Sequence, residues 1–334
     1  MSVDNLTECQ KKAFEVFKQQ IHAQEQDKKN IVISGPGGVG KTYLTKTIFS
    51  YLVENGIDGV YLAAPTHQAK NELIKSSGME ASTIHSLLKI SPSTYEEVEV
   101  FEQQEAPDLS KCRVLILDEV SMYDAQLFSL VMSSVPRFTL IIGLGDSKQL
   151  RPVSLDGKIE GISKFFTSPE FIQVELVTNK RNKGNLLKVC TDLREGKPIY
   201  ELYDSKEGAK QVNVKEFFGH YFEKVKTKED MLNNRILAFT NDSVDKINDF
   251  VHKRIFKTDE PFVVGEYLVI QEPLSKDVRI GRKTLKEIIY NNGTILKVLG
   301  ITKHQQQFTA PEGPHIANVE YYSLKVENLV NGKE

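Results

Sequence analysis

An α/β fold built on a parallel, doubly wound sheet and joined to a smaller all-β module is predicted for this 334-residue chain. Short apolar runs separated by helical or polar segments give its first half a βαβ rhythm. A glycine-rich turn, GPGGVGKT at residues 35–42, lies between the first such run and a helix-compatible stretch. Beyond Lys257 the texture changes to closely spaced strand-like runs.

Residues 7–26 open with a capping-box pattern, Thr7 followed three residues later by Gln10, and carry Ala13, Phe14, Phe17 and Ile21 at helical spacing, which predicts a first helix. The runs 31–34, 60–64, 114–117 and 140–144 read as buried strands of a parallel sheet. Between the second and third of them, residues 91–110 are predicted to form an insertion. Residues 95–101 alternate acid and apolar side chains, Glu97 and Glu99 against Val98 and Val100, the period of a projecting hairpin. A second βαβ-like start is expected from a strand at 236–240 and a helix through Ser243, Val244, Ile247, Phe250, Val251 and Ile255. The runs 263–270, 288–290, 295–298 and 319–326, with Asn292 and Gly293 as a turn, predict a small β-barrel. Linkers are expected at 204–210 and 258–261, giving domains at 1–205, 206–258 and 259–334.

The length accommodates about two domains plus insertions at ~150 residues per domain. Hydrophobic residues make up 40% and charged ones 26%, an ordinary globular balance, and no apolar run approaches the length of a bilayer span. No charged segment followed by an apolar one opens the chain, so secretion is not expected. The net charge of −2 means that bulk electrostatics do not announce a polyanion partner, and any nucleic-acid site must be a local groove. Cys9, Cys112 and Cys190 lie far apart without metal-ligand or redox spacing, and read as buried or incidental thiols of a reducing compartment.

The glycine-rich turn carries the chemistry. Gly35, Gly37, Gly38 and Gly40 allow positive φ and let backbone N–H groups turn inward, where a helix N-terminus adds donors for phosphate oxygens. Val39 and Tyr43 belong to the same cradle, Lys41 would neutralise phosphate charge, and Thr42 would hold Mg²⁺ of a bound ATP. The run RVLILDE at 113–119 sets two carboxylates at the end of a buried strand, where ligands bind in open α/β sheets. Asp118 would hold the same metal ion, and Glu119 would orient or deprotonate an attacking water; the plainer reading is an Asp-Glu pair that simply starts a helix. In LGDSKQLRPV at 144–153, Gln149 can sense a γ-phosphate and Arg151 can touch phosphate or an acidic neighbour.

The ordered set LTECQ at 6–10, GPGGVGKT, APTHQAK at 64–70, STIHSLL at 82–88, DEVSM at 118–122, GDSKQLRP at 145–152 and TNKR at 178–181 resembles superfamily-one DNA helicases of the RecD-like branch, and within it the Dda helicases of T-even bacteriophages. The similarity runs over essentially the whole chain. It implies two RecA-like domains, an inserted pin that separates the duplex, an SH3-like β-barrel insertion in the second domain, and ATP-driven 5′-to-3′ movement on single-stranded or forked DNA. Position by position, it implies that Gln10 contacts adenine, although Gln10 also fits as the capping-box partner of Thr7. It implies that Arg181 reaches the γ-phosphate across a cleft; the alternative is a surface base in the patch 180–183. Thr66, His67, Thr83, His85, Thr240 and Asn241 fall where the family touches the DNA strand, through the hydroxyl, amide and backbone groups that let a nearly neutral chain hold a polyanion. Phe101 matches the position of an aromatic that stacks on the fork base pair, with Glu96, Glu97, Glu99 and Glu102 around it; the alternative is a ring tucked into the core. A monomer in a host cytoplasm, in touch with phage replication proteins such as a single-stranded-DNA-binding protein and with no membrane, is likewise implied.

Family members continue beyond the barrel into a segment carrying a second arginine in a Thr-Arg-Gly context. None of Arg194, Arg235, Arg254, Arg279 or Arg282 sits in such a context, so the second domain is expected to be cut within its inserted barrel. A DNA-binding ATP switch that does not unwind, or a P-loop kinase acting on a small molecule, are the competing readings.

Overall fold

The computed structural model describes residues 5–95, 98–103, 106–152, 159–198, 200–203, 208–271, 274–280, 283–290, 293–309 and 316–329. They belong to two compact units, Met1–Gln211 and Val212–Glu334.

In the first unit the chain runs through α1 (Glu8–Ile21), β1 (Asn30–Ser34), α2 (Lys41–Glu54), β2 (Val60–Ala64), α3 (His67–Ser77), β3 (Ser82–Thr83) and α4 (Ile84–Leu87). The hairpin β4 (Ile90–Tyr95) and β5 (Val98–Gln103) follows, then β6 (Val114–Leu117), α5 (Ala125–Ser134), β7 (Leu140–Gly145), β8 (Phe171–Glu175), α6 (Gly184–Arg194) and the short pair β9 (Leu202–Tyr203) and β10 (Gly208–Ala209). Six strands form one sheet in the order β3-β2-β6-β7-β1-β8, every pairing parallel. The crossover from β1 to β2 skips two places that β6 and β7 later fill, which sets a crevice at the carboxyl ends of the central strands.

The apolar runs become strands because both faces of the sheet are covered. Ile31 and Ile33 pack with Phe14, Phe17, Leu44 and Ile48 of α1 and α2 on one face. Val32, Leu115 and Leu117 pack with Tyr123, Val131 and Phe165 on the other. Thr7 caps α1 in a complete capping box with Gln10. The helix stops at Ile21, five residues short of the expected end, because the polar stretch after it offers no apolar face to bury. Two strands of this six-stranded sheet were not predicted: β3 is too short to show a period, and β8 alternates Gln173 and Glu175 with Ile172 and Val174 at the sheet's edge.

The inserted hairpin forms, with Ile90 opposite Gln103 and Tyr95 opposite Val98. This register puts the chain reversal inside the alternating run 95–101, so that run spans two strands rather than one; Glu96 and Glu97 lie outside the described residues. Leu88 and Ile90 are buried and root the hairpin at the β3 end of the sheet.

The second unit contains α7 (Val214–Lys224), α8 (Lys228–Asn233) and α9 (Asn241–Phe256), followed by β11 (Tyr267–Val269), β12 (Leu274–Ile280), β13 (Lys283–Tyr290), β14 (Ile295–Thr309) and β15 (Ile316–Asn328). Antiparallel pairing gives a β11-β14-β15 sheet and a β12-β13 ribbon. The expected strand at 236–240 carries no ladder among the described residues. A strand exists only through a hydrogen-bonded neighbour, and among the described residues none pairs with it; Leu237 and Phe239 stand 92% and 103% exposed. Thr240 instead caps α9. The expected strand 263–270 shortens to β11, and Asn292 of the expected turn lies outside the described residues, as do 204–207 of the expected linker.

Candidate nucleotide and DNA site

Parallel pairing brings the ends of six strands to one edge, and the first unit's predicted functional residues lie there or in the elements that follow. The phosphate loop begins where β1 ends; Gly35 N–H donates to Gly145 O of β7 at 3.1 Å, which anchors the loop's entry. Gly38 and Gly40 have φ of +89° and +80°. A Cβ at Gly38 would stand 2.6 Å from Arg181 Cβ, and one at Gly40 would stand 2.5 Å from Gln10 Nε2, so both positions require glycine twice over.

Four consecutive loop carbonyls face outward and are satisfied there. Gly37 O accepts from Asn179 Nδ2 at 2.9 Å and Gly38 O from Lys180 N–H at 2.8 Å. Val39 O and Gly40 O accept from Gln10 Nε2 at 3.1 and 3.2 Å. With the carbonyls turned out, the N–H groups of residues 37–40 have no acceptor among the described residues, and Gly40 caps α2 without a side-chain partner. A concave run of free donors at a helix N-terminus is what a polyphosphate needs.

Lys41 Nζ donates to Gly35 O at 2.6 Å. Burial lowers its pKa, against the opposing pull of the Glu119, Asp146 and Asp118 carboxylates, so these groups share one electrostatic neighbourhood. Asp118 directly follows β6 and accepts from Glu119 N–H at 3.0 Å. Burial raises the pKa of Asp118; burial and then the adjacent Asp118 charge raise that of Glu119. Glu119 also holds a left-handed backbone, φ +48° and ψ +44°, a strained conformation for a residue with a Cβ. Thr42 is half-buried in the first turn of α2, and Tyr43 packs against the core. Among the described residues no group of three or more His, Cys, Asp or Glu could hold a metal ion. A threonine and one carboxylate beside a phosphate cradle suit Mg²⁺, which is held by few protein ligands together with substrate oxygens.

Two residues of this region escaped sequence reasoning. Arg194, on α6, grips the buried Asp146 with Nε and Nη2, both at 3.1 Å to its closer oxygen, and reaches Glu175 at 3.3 Å. Asp146 in turn accepts from Lys148 N–H at 3.1 Å, and its carbonyl from Gln149 N–H at 3.0 Å, leaving the Gln149 and Arg151 side chains exposed. Asn179 is the second, inside the TNKR turn that lies on Gly38. Arg181 therefore comes to the phosphate loop from within the same unit. Neither partner is announced by local spacing: Arg194 lies 48 residues from Asp146, and Asn179 lies 142 from Gly37. Gln10 completes the expected capping box and also braces the loop. Its Oε1 accepts from Thr7 N–H at 2.9 Å while its Nε2 serves the loop, and the side chain is 3% exposed.

The DNA candidates divide between the units. Thr66 and Thr83, at the ends of β2 and β3, cap α3 and α4 by accepting from Ala69 and Ser86 N–H. His67 and His85 stand one and two residues beyond those caps and are electrostatic neighbours. Burial lowers both pKa values, with Lys70 and His85 adding to the effect at His67, so both rings favour the neutral form. Phe101 pairs with Pro92 through the backbone, but its side chain lies outside the described residues. Thr240 and Asn241 open α9 in the second unit. The sheet order thus places the nucleotide candidates on β6, β7, β1 and β8 and the first unit's strand-contact candidates on the neighbouring β2 and β3.

Comparison with known proteins matches an AAA domain model at residues 18–155 and a Dda helicase SH3 domain model at residues 259–334. The ATP-dependent DNA helicase dda of Enterobacteria phage T4 is 46% identical over 332 residues, covering 98% of this chain and 75% of that protein. The ATP-dependent RecD2 DNA helicase of Deinococcus radiodurans is 35% identical over 124 residues, 37% of this chain and 16% of that protein. Among solved structures, Bacteroides Pif1 bound to ssDNA aligns with 97% of this chain and 81% of its own at 19% identity and a TM-score of 0.48.

Proposed function

The chain belongs to the Dda family of DNA helicases, and from that premise we propose that it hydrolyses ATP to move 5′ to 3′ along single-stranded DNA and open forked duplex. The observation that carries the chemical part is the phosphate loop with its carbonyls bound outward and its amides free, beside a lysine and two half-buried carboxylates. Polarity and the DNA substrate rest on kinship with the phage T4 helicase.

In this reading the free amides and Lys41 bind the β- and γ-phosphate oxygens, and Thr42 and Asp118 hold Mg²⁺. When bound, Mg²⁺ neutralises charge developing on those oxygens. Glu119, its basicity raised by burial and by Asp118, accepts a proton from the attacking water. Gln149 orients around the γ-phosphate, and Arg181 stabilises the transferring group from its seat on Gly38. Thr66, His67, Thr83, His85, Thr240 and Asn241 contact the DNA strand, and Phe101 stacks at the fork.

The test combines steady-state ATP hydrolysis, with and without single-stranded DNA, and unwinding of duplexes carrying a 5′ or a 3′ tail. Turnover should rise with DNA, and only 5′-tailed duplex should open. Lys41→Ala should reduce hydrolysis to background, and Glu119→Gln should bind ATP without turning it over. Robust hydrolysis by either variant would refute the assigned roles, and unwinding only from a 3′ tail would refute the direction.

A further inference from the structure

We infer that Asn179 is a positioning residue that presets the phosphate loop and aims Arg181 at it, acting as the second of two amide braces, with Gln10 as the first. One carboxamide joins two backbone segments far apart in sequence. Its Oδ1 accepts from Arg181 N–H and Asn182 N–H, both at 2.9 Å, which holds the turn bearing the arginine. Its Nδ2 donates to Gly37 O at 2.9 Å, and the next amide, Lys180 N–H, takes Gly38 O at 2.8 Å.

The pattern admits one orientation of the amide. A flipped carboxamide would set its NH₂ against two N–H groups and its oxygen against a carbonyl, losing three hydrogen bonds at once. Only asparagine supplies an acceptor for the turn and a donor for the loop at this reach. Aspartate keeps the acceptor and its shape but confronts Gly37 O with a second oxygen. The brace is also tight: a Cβ at Gly38 would stand 2.8 Å from Asn179 Oδ1 and 2.6 Å from Arg181 Cβ.

Gln10 does the same for Val39 O and Gly40 O from the α1 side. The two side chains and one backbone amide therefore account for every carbonyl from Gly37 to Gly40, and it is this outward pull that leaves the amides turned in. A loop released at Gly37 regains the freedom of a glycine pair and loses the preorganisation that makes anion binding inexpensive in entropy.

The binding part of this inference stands on geometry alone; the part that concerns Arg181 rests on the proposed ATP hydrolysis. The test uses the full chain and measures binding of fluorescent Mg·ADP directly, then ATP turnover. Asn179→Asp and Asn179→Ala should each weaken ADP binding about fivefold or more, the scale of losing one hydrogen bond. Arg181→Ala should leave ADP affinity within about twofold and lower kcat. In Asn179→Ala/Arg181→Ala, kcat should fall no further than in Arg181→Ala alone, because both changes act on one unit. Asn179→Asp keeps the test open should the alanine variant fail to fold, since it retains the two contacts within the turn. Wild-type ADP affinity in a folded Asn179→Asp protein would overturn the brace, and fully additive losses in kcat would overturn its action through Arg181. A wild-type chain that binds ADP but does not hydrolyse ATP would sink the hydrolysis reading and the Arg181 part, leaving the ADP measurements to decide the brace.

Discussion

At the scale of single residues, the site stores strain and shifted acidity where chemistry is proposed. Glu119 keeps a left-handed backbone beside the half-buried Asp118 carboxylate, and Lys41 is held below the usual lysine range by burial. Gly38 has no room for a methyl group, so Gly38→Ala should weaken fluorescent ADP binding about tenfold or more, each factor of ten being ~1.4 kcal/mol; near wild-type affinity would show that the TNKR turn can simply step aside. The cysteines, expected from their spacing to be buried or incidental thiols, differ in acidity. Burial pushes the Cys9 thiol up, but hydrogen bonding with Thr7 and Thr178 outweighs it and brings the pKa down to about 7. Cys112 is driven to about 12 by burial. Alkylation of Cys9 should therefore accelerate as pH rises through neutrality and level off above it, while Cys112 in the folded chain stays inert. Peptide mapping of a maleimide time course checks this, and a Cys9 rate that is flat across neutral pH contradicts it. Gln10, Lys41, Asp118 and Glu119 were legible as candidates because their motifs are local. Asn179 and Arg194 were not, because what makes them matter is a partner many tens of residues away.

Elements convert those residues into a working edge. Arg194 ties the end of α6 to the ends of β7 and β8 through a bidentate grip on Asp146, whose side chain is 2% exposed. Removing one partner of a buried pair leaves an uncompensated charge, so Arg194→Ala should cost about 3 kcal/mol in denaturant unfolding. Arg194→Lys should recover only part of that, because an ammonium cannot fork. An unchanged unfolding midpoint in the alanine variant would mean that Asp146 finds another cation. The β4–β5 hairpin is the other element with a proposed task. Phe101→Ala should slow duplex unwinding by the loss of ~1–3 kcal/mol of base stacking while DNA-stimulated ATP hydrolysis stays the same; intact unwinding would remove the pin role. The hairpin's existence was legible in its alternating side chains, but its register was not, since alternation continues across a tight reversal without marking it.

For the molecule as a whole, the phosphate loop, both braces, the carboxylates and the Asp146–Arg194 pair all belong to the unit Met1–Gln211. Residues 1–211 expressed alone should therefore fold and bind fluorescent Mg·ADP with an affinity within about threefold of the full chain, ~0.6 kcal/mol. A larger loss would show that the second unit supports the site. The sequence by itself determined four of the six strands of the parallel sheet, where α1 begins, that a glycine-rich turn joins β1 to α2, and that a β-rich module follows Lys257. Those features depend on side-chain period and on the steric freedom of near neighbours, which act along the chain. Only the tertiary structure decided the order β3-β2-β6-β7-β1-β8, the braces on the loop carbonyls, the partner of Asp146, and that 236–240 carries no ladder among the described residues. Such features require hydrogen-bonding groups from distant segments to arrive at one place. Their energies come from pairs of residues rather than from either residue alone, so neither segment carries a local signal of the match.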